Sequence, residues 1–181
     1  MNGEQDKRNA AGFEQVFRDH HAMVFRAAYR VTGNAADAED VMQAVFLRLF
    51  GRGEADTVME NAERYLRRAA VNGALDVIRA RASRRWTPLD AAAPLASESP
   101  AGAPERLAAS AEVRGWLREA VARLSAQAAE IFALRFFEDR DNGEIAQLVG
   151  TTPATVAVTL HRSRERIERE FRAWTGENHH G

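Results

Sequence analysis

From Phe13 onward, the apolar residues Phe13, Val16, Phe17, Val24, Ala27, Ala28 and Val31 recur at the three-to-four spacing of one helix face. The stretch TGN at 32–34 breaks that pattern, and Asn34 stands where a side-chain oxygen can cap a following helix. The next segment, AADAEDVMQAVFLRLF, carries Val41, Val45 and Leu49 on one stripe and predicts a second helix. A polar stretch with two glycines, GRGEADTVMENA at 51–62, reads as a loop. A third helix is predicted from about Ala62 to Ser83.

The pattern then stops. Residues 87–110, TPLDAAAPLASESPAGAPERLAAS, hold four of the five prolines and are rich in Ala and Ser. Such a composition buries no core and reads as a linker. Helical spacing returns with Val113, Trp116, Leu117, Ala120, Val121 and Leu124, and Ser125 can cap a helix holding Ile131, Phe132 and Leu134. Strand signals are weak throughout. The fold class is therefore all-α: two small helical domains, 10–86 and 111–174, joined by a flexible linker at 87–110.

The strongest local motif is GEIAQLVGTTPATVAVTLHRSRERI, residues 143–167. Asp141 and Glu144 fit a capping box for a short helix. Gly150 suits the left-handed position that ends it. Thr152 then caps a second helix, with Pro153 at a first position that needs no backbone donor. Val156, Leu160 and Ile167 fall on one face and should pack on Ile145 and Leu148. At about 100° per residue, Ala154, Val158, His161, Arg162 and Glu165 fall on the other. This is the outline of a helix-turn-helix, whose second helix enters the major groove of DNA by its N-terminal part. The front of that helix is poor in charge. Ala, Val and Thr methyls can meet thymine methyls, and Arg162, Arg164 and Arg166 can hold phosphates from the flank. Few hydrogen bonds to bases follow, and hence a modest intrinsic affinity. A packed helical hairpin with a solvated arginine tail is the competing reading.

Charge matters here by position. The net charge of the 181 residues is -1, so bulk charge argues for no partner. Yet the segment from Ala62 to Trp86 holds seven arginines against Glu63 and Asp76, a local excess of five positive charges. Tyr65 and Trp86 flank it and could stack on unpaired bases; a solvated face with buried aromatics fits the same residues. The second helix opens with the opposite sign: Asp37, Glu39 and Asp40, with Gln43 and Phe46 following. That mix suits a protein partner, although the spacing alone places Phe46 in the core.

Cysteine is absent, which excludes disulfides and thiolate metal sites. The histidines His20, His21, His161, His179 and His180 show no metal-ligand spacing, so neither a metal nor another cofactor is expected. No Gly-rich phosphate loop and no Ser/His/Asp motif points to an enzyme. The N-terminus, MNGEQDKRNAAG, lacks the apolar core of a signal peptide, and no apolar run approaches a membrane span. A cytoplasmic protein is expected, with no further domain after Trp174.

Three segments together are similar to a known family. DAEDVMQAVFLRLF, YLRRAAVNGALDVIRARASRR and LREAVARLSAQAAEIFALRFFEDRDNGEIAQLVGTTPATVAVTLHRSRERI resemble, in that order, the conserved regions of the extracytoplasmic-function (ECF, group IV) sigma factors of bacterial RNA polymerase. The resemblance covers about 13–85 and 117–171. It implies a sigma-2 and a sigma-4 domain, core RNA polymerase and promoter DNA as partners, and in many members an anti-sigma factor.

By this resemblance, Asp37, Glu39, Asp40, Gln43 and Phe46 would bind the clamp helices of the polymerase. Family members usually carry an acidic residue where Ala44 stands here. The loop at 52–61 with Tyr65, Asn72 and Asp76 would capture a flipped base of the −10 element, and Arg67, Arg68, Arg79, Arg81, Arg84 and Arg85 would hold phosphates. The family often has Trp at the position of Tyr65, and Tyr keeps a stacking face. Thr152, Ala154, Thr155, Val158, Thr159, His161, Arg162, Arg164 and Arg166 would meet the −35 element. The family's common Gly-Thr-Val-Lys-Ser-Arg-Leu is here Ala154-Thr155-Val156-Ala157-Val158-Thr159-Leu160, without the Lys and the Arg. The other surface of sigma-4 would meet the polymerase flap tip. The linker, with Asp90, Glu98 and Glu105, would thread the basic RNA-exit path. Two other readings stand beside this one: a helix-turn-helix regulator that replaces no sigma factor, and a regulator that binds polymerase or an anti-sigma factor without reading DNA.

Overall fold

The computed structural model describes residues 2–52, 61–85 and 104–178, and every element among them is helical. The helices are α1 (Asn2–Thr32), α2 (Ala35–Arg52), α3 (Ala62–Arg85), α4 (Pro104–Ala122), α5 (Ala126–Phe136), α6 (Asn142–Val149) and α7 (Pro153–Asn178). The chain divides into two compact units, Met1–Ala74 and Leu75–Gly181, and the division falls inside α3.

In the first unit, α1 and α2 form a helical pair joined by a tight turn. Gly33 takes a left-handed φ of 66°, and its N–H donates to the carbonyl of Tyr29 at 2.7 Å. Asn34 then caps α2: its side-chain oxygen accepts from the backbone N–H of Asp37 at 3.0 Å. Val16, Val24, Ala27, Ala28 and Val31 of α1 are buried, as are Val41, Val45, Phe46 and Leu49 of α2. Leu66, Ala70, Val71 and Ala74 of α3 complete this core. Each fully buried Val or Leu contributes about 1.5–3 kcal/mol over the exposed side chain. Gly73 permits a close approach of α3 to α2, since a Cβ there would stand 3.1 Å from Cγ1 of Val41.

In the second unit, α4 to α7 surround Val121, Leu124, Ile131, Leu134, Ile145, Val156, Leu160 and Ile167, all buried. Three of its features match the expected local chemistry. The Ser125 hydroxyl accepts from the N–H of Ala128 at 3.4 Å and caps α5. Asp141 and Glu144 form a reciprocal capping box, with bonds of 2.8 and 2.9 Å. Gly150 ends α6 at a left-handed φ of 72°. At the far end of α7, Phe171 and Trp174 meet Trp116 of α4, with ring centroids 5.0–5.7 Å apart.

The helices extend beyond the periodic segments that predict them. α1 begins at Asn2, well before Phe13, because apolar periodicity marks where a face is buried and not where a helix starts. α4 begins at Pro104, inside the stretch read as linker. Proline is favoured at a first helical position, and Glu, Arg, Leu and Ala following it are strong helix formers. Residues 87–103 of that stretch lie outside the described residues, as do Trp86, most of the 51–62 loop and His179 and His180.

Candidate nucleic-acid and partner interface

The helix-turn-helix is formed by α6, the turn at Gly150 and α7. The Thr152 hydroxyl accepts from the N–H of Thr155 at 3.2 Å and so caps α7, and it lies 2.9 Å from the Thr155 hydroxyl. One face of α7 is buried through Val156, Leu160, Ser163 and Ile167. Ser163 is a polar member of that face, and its hydroxyl donates to the carbonyl of Thr159 at 2.8 Å. Ala154, Thr155, Val158, His161, Arg162 and Glu165 are exposed on the other side, and Thr159 is half-buried between the two. The expected face is therefore presented to solvent.

Its three arginines have separate surroundings. The guanidinium of Arg164 lies over the ring of Phe136, 4.9 Å from the centroid. Nε of Arg166 is 2.9 Å from a carboxylate oxygen of Glu170. Arg162 is exposed and has no side-chain ion pair among the described residues. Arg164 and Arg166 are thus partly committed within the protein, and Arg162 is the one placed freely beside the helix front.

On α3, the residues proposed for the −10 element divide by face. Tyr65, Asn72, Asp76 and Arg79 follow one another at 7, 4 and 3 residues, close to one line along the helix. Tyr65 and Asn72 are half-buried and Asp76 is exposed, with Arg79 held 3.3 Å from it. Arg68 lies beside this line. Arg67 does not. Its side chain is 11% exposed and pairs with Glu63 at 2.8 Å on the far side of the helix from Tyr65. Arg67, expected among the phosphate holders, is thus half-buried and held by Glu63 on another face from Tyr65. Arg81 and Arg84 are exposed near the end of α3, off the Tyr65 line. α3 extends to Arg85, and of the 52–61 loop only Asn61 has a described side chain.

The acidic face of α2 is exposed at Glu39, Asp40 and Gln43, and Asp37 is half-buried. Phe46 is different. It is 3% exposed, and its ring meets Phe17 at 4.8 Å and Phe13 at 6.2 Å, both edge-on. It belongs to the core, as its spacing alone suggested, and offers no ring to a partner. Two residues absent from the expected partner set are exposed instead: Leu47 is 70% exposed and Phe50 57%, the latter with its ring edge-on to Phe13 at 5.1 Å. Asp40, Gln43, Leu47 and Phe50 share one stripe, at steps of 3, 4 and 3 residues. That spacing is visible in the sequence, and continuing the stripe beyond Gln43 would have found both. An exposed leucine and phenylalanine together, edged by carboxylates, are the features of a contact surface.

An all-helical chain with a capped helix-turn-helix, an arginine-rich helix and an acidic-apolar helix face has the parts of a transcription protein that contacts both DNA and another protein. The comparisons with known proteins give the particular family. The Sigma-70 region 2 family model matches residues 16–84, and the Sigma-70 region 4 family model matches residues 114–167. The RNA polymerase sigma-E factor of Streptomyces coelicolor is 28% identical over 159 residues, 88% of this chain and 85% of its own length. The ECF RNA polymerase sigma factor SigW of Bacillus subtilis is 23% identical over 176 residues, 94% of this chain and 91% of its own length. The ECF RNA polymerase sigma factor SigL of Mycobacterium tuberculosis is 29% identical over 154 residues, 84% of both chains. Both sigma-70 regions are thus matched in order along the chain, and these similar proteins are sigma factors, two of them of the ECF group.

Proposed function

We propose that this protein binds core RNA polymerase, directs it to promoters through a −35 and a −10 element, and initiates transcription there. Region 2 and region 4 occur in the order this work needs. The division into 10–86, a linking stretch at 87–110 and 111–174 belongs to the same reading, with the end of that stretch, from Pro104, already helical as the start of α4. The observation that carries the proposal is the exposed front of a capped α7 within the region 4 match, beside Arg162.

The stripe Asp40, Gln43, Leu47 and Phe50 on α2 is the polymerase contact in this reading. An anti-sigma protein would inhibit by covering the same stripe. Tyr65, Asn72 and Asp76 on α3 capture an unpaired base at the −10 element, with Arg68, Arg79, Arg81 and Arg84 supplying charge for the backbone. Stacking on Tyr65 offsets part of the few kcal/mol lost when a base leaves the duplex. Two weakly binding modules on one DNA reach a useful affinity because the second contact is intramolecular. The protein acts where its polymerase is, in the cell interior. It works by binding, with no cofactor or metal of its own.

The test is co-elution with bacterial core polymerase, followed by strand opening on promoter DNA read through permanganate reactivity of unpaired thymines. Co-elution and protein-dependent reactivity around −10 are expected. Co-elution without strand opening would favour the regulator that binds polymerase and reads no DNA, a reading to which the charge-poor front of α7 lends support.

A further inference from the structure

On the first two turns of α7, Ala154, Ala157 and Val158 are exposed, and Val158 is 50% exposed. A single exposed apolar side chain is ordinary. Here three stand together on the helix front, and hydrogen-bonding groups around them are scarce. The Thr155 hydroxyl lies 2.9 Å from that of Thr152. Thr159 is on the flank toward the core and half-buried. The next polar side chains on the Ala154–Val158 line are His161 and then Glu165, 3.9 Å apart. Glu165 carries the sign of a phosphate, which confines close approach to the first two turns. Positive charge lies to one side, at Arg162 and Arg169, seven residues apart, both exposed and without an ion pair among the described residues.

Ala154, Ala157 and Val158 themselves cannot read guanine or adenine through bidentate hydrogen bonds. The one base-edge feature in the major groove that an apolar side chain recognises is the C5-methyl group of thymine. We propose that Val158 is a specificity-determining residue that packs on a thymine methyl in the upstream promoter element, with Ala154 and Ala157 allowing the backbone close approach. This rests on the promoter reading above and adds the chemistry by which the element is distinguished.

The test uses the full chain bound to core polymerase. Duplexes selected from a random-sequence library give the upstream element, and each thymine in it is then replaced by deoxyuridine, which deletes only the methyl group. Removing one buried methyl should weaken binding roughly fourfold at the position Val158 faces. Val158→Ala, whose side chain is too short to reach, should bind the two duplexes alike. Folding of this variant is checked by circular dichroism and is expected to be unchanged, since the side chain lies outside the core. If the parent protein bound both duplexes equally, the methyl reading would be overturned and the promoter reading left standing. If Val158→Ala kept the full preference for thymine, the assignment to Val158 would be overturned. If no sequence were enriched at all, the promoter reading itself would fail, and this inference with it.

Discussion

Nη2 of Arg123, just past the end of α4, lies 2.7 Å from Oε2 of Glu170 on α7, 47 residues further along the chain. Glu170 also accepts from Nε of Arg166 at 2.9 Å. One carboxylate thus ties the end of α4 to the far half of α7. Burial pushes the Glu170 carboxyl up, but the hydrogen bonds and charges of Arg123 and Arg166 together outweigh it, and the net shift is downward. A carboxyl held lower in the folded state than in the unfolded one stabilises the fold above its unfolded value. That contribution is lost as pH falls from the ordinary glutamate range through the lowered native value. Glu170→Gln should lower stability at neutral pH by about 0.5–1 kcal/mol, given the partly exposed site. It should also flatten the acid limb of a urea-denaturation series; an unchanged acid limb would contradict the pairing.

Gly150 and Gly115 make a matched pair. Gly150 sits at φ 72° in the turn of the helix-turn-helix, where a Cβ is opposed by the backbone itself. Gly150→Ala should destabilise by about 1–2 kcal/mol. Gly115 is within α4, with nothing within 4 Å of an added Cβ. Gly115→Ala should stabilise by about 0.5–1 kcal/mol. Thermal melting reads both, and shifts of the same sign would refute the conformational account.

Phe46 and its neighbours on α2 separate core from contact. Phe46→Ala should cost about 3–5 kcal/mol and impair folding. Leu47→Ala with Phe50→Ala should cost far less, about 0.5–1.5 kcal/mol for the lost Phe50–Phe13 contact, and weaken polymerase binding at least tenfold. Loss of stability in the double variant, with binding intact in the fraction still folded, would assign the two residues to the fold.

Tyr65 and Asn72 carry the prediction for strand opening. Tyr65→Ala removes a stacking surface worth about 1–3 kcal/mol per base. Open-complex formation should fall roughly 5-fold to 100-fold, while polymerase binding changes little. Equal loss of both would contradict the assignment.

These residues also show what a sequence displays and what it withholds. Asp141, Glu144, Gly150, Thr152 and Ser125 act within four residues of themselves, so their caps and turn are readable from local order. The buried face of α7 is legible for the same reason, since 3.6-residue periodicity is local. Phe46 and Phe50 lie one turn apart beside the same stripe and both meet Phe13, but Phe46 also meets Phe17 at 4.8 Å, a packing that the order of residues in α2 does not encode. Seven arginines around α3 announce a positive element, but the count does not reveal that Arg67 turns to Glu63. The Arg123–Glu170 pair depends on how α4 and α7 pack, which no spacing encodes.

The most direct test of the central claim is reconstituted transcription. Purified protein and bacterial core polymerase are given a genomic DNA library, and start sites are read by sequencing. The account predicts protein-dependent start sites that share two upstream elements at fixed spacing. Start sites that are the same with and without the protein, under conditions where it binds the polymerase, would contradict it.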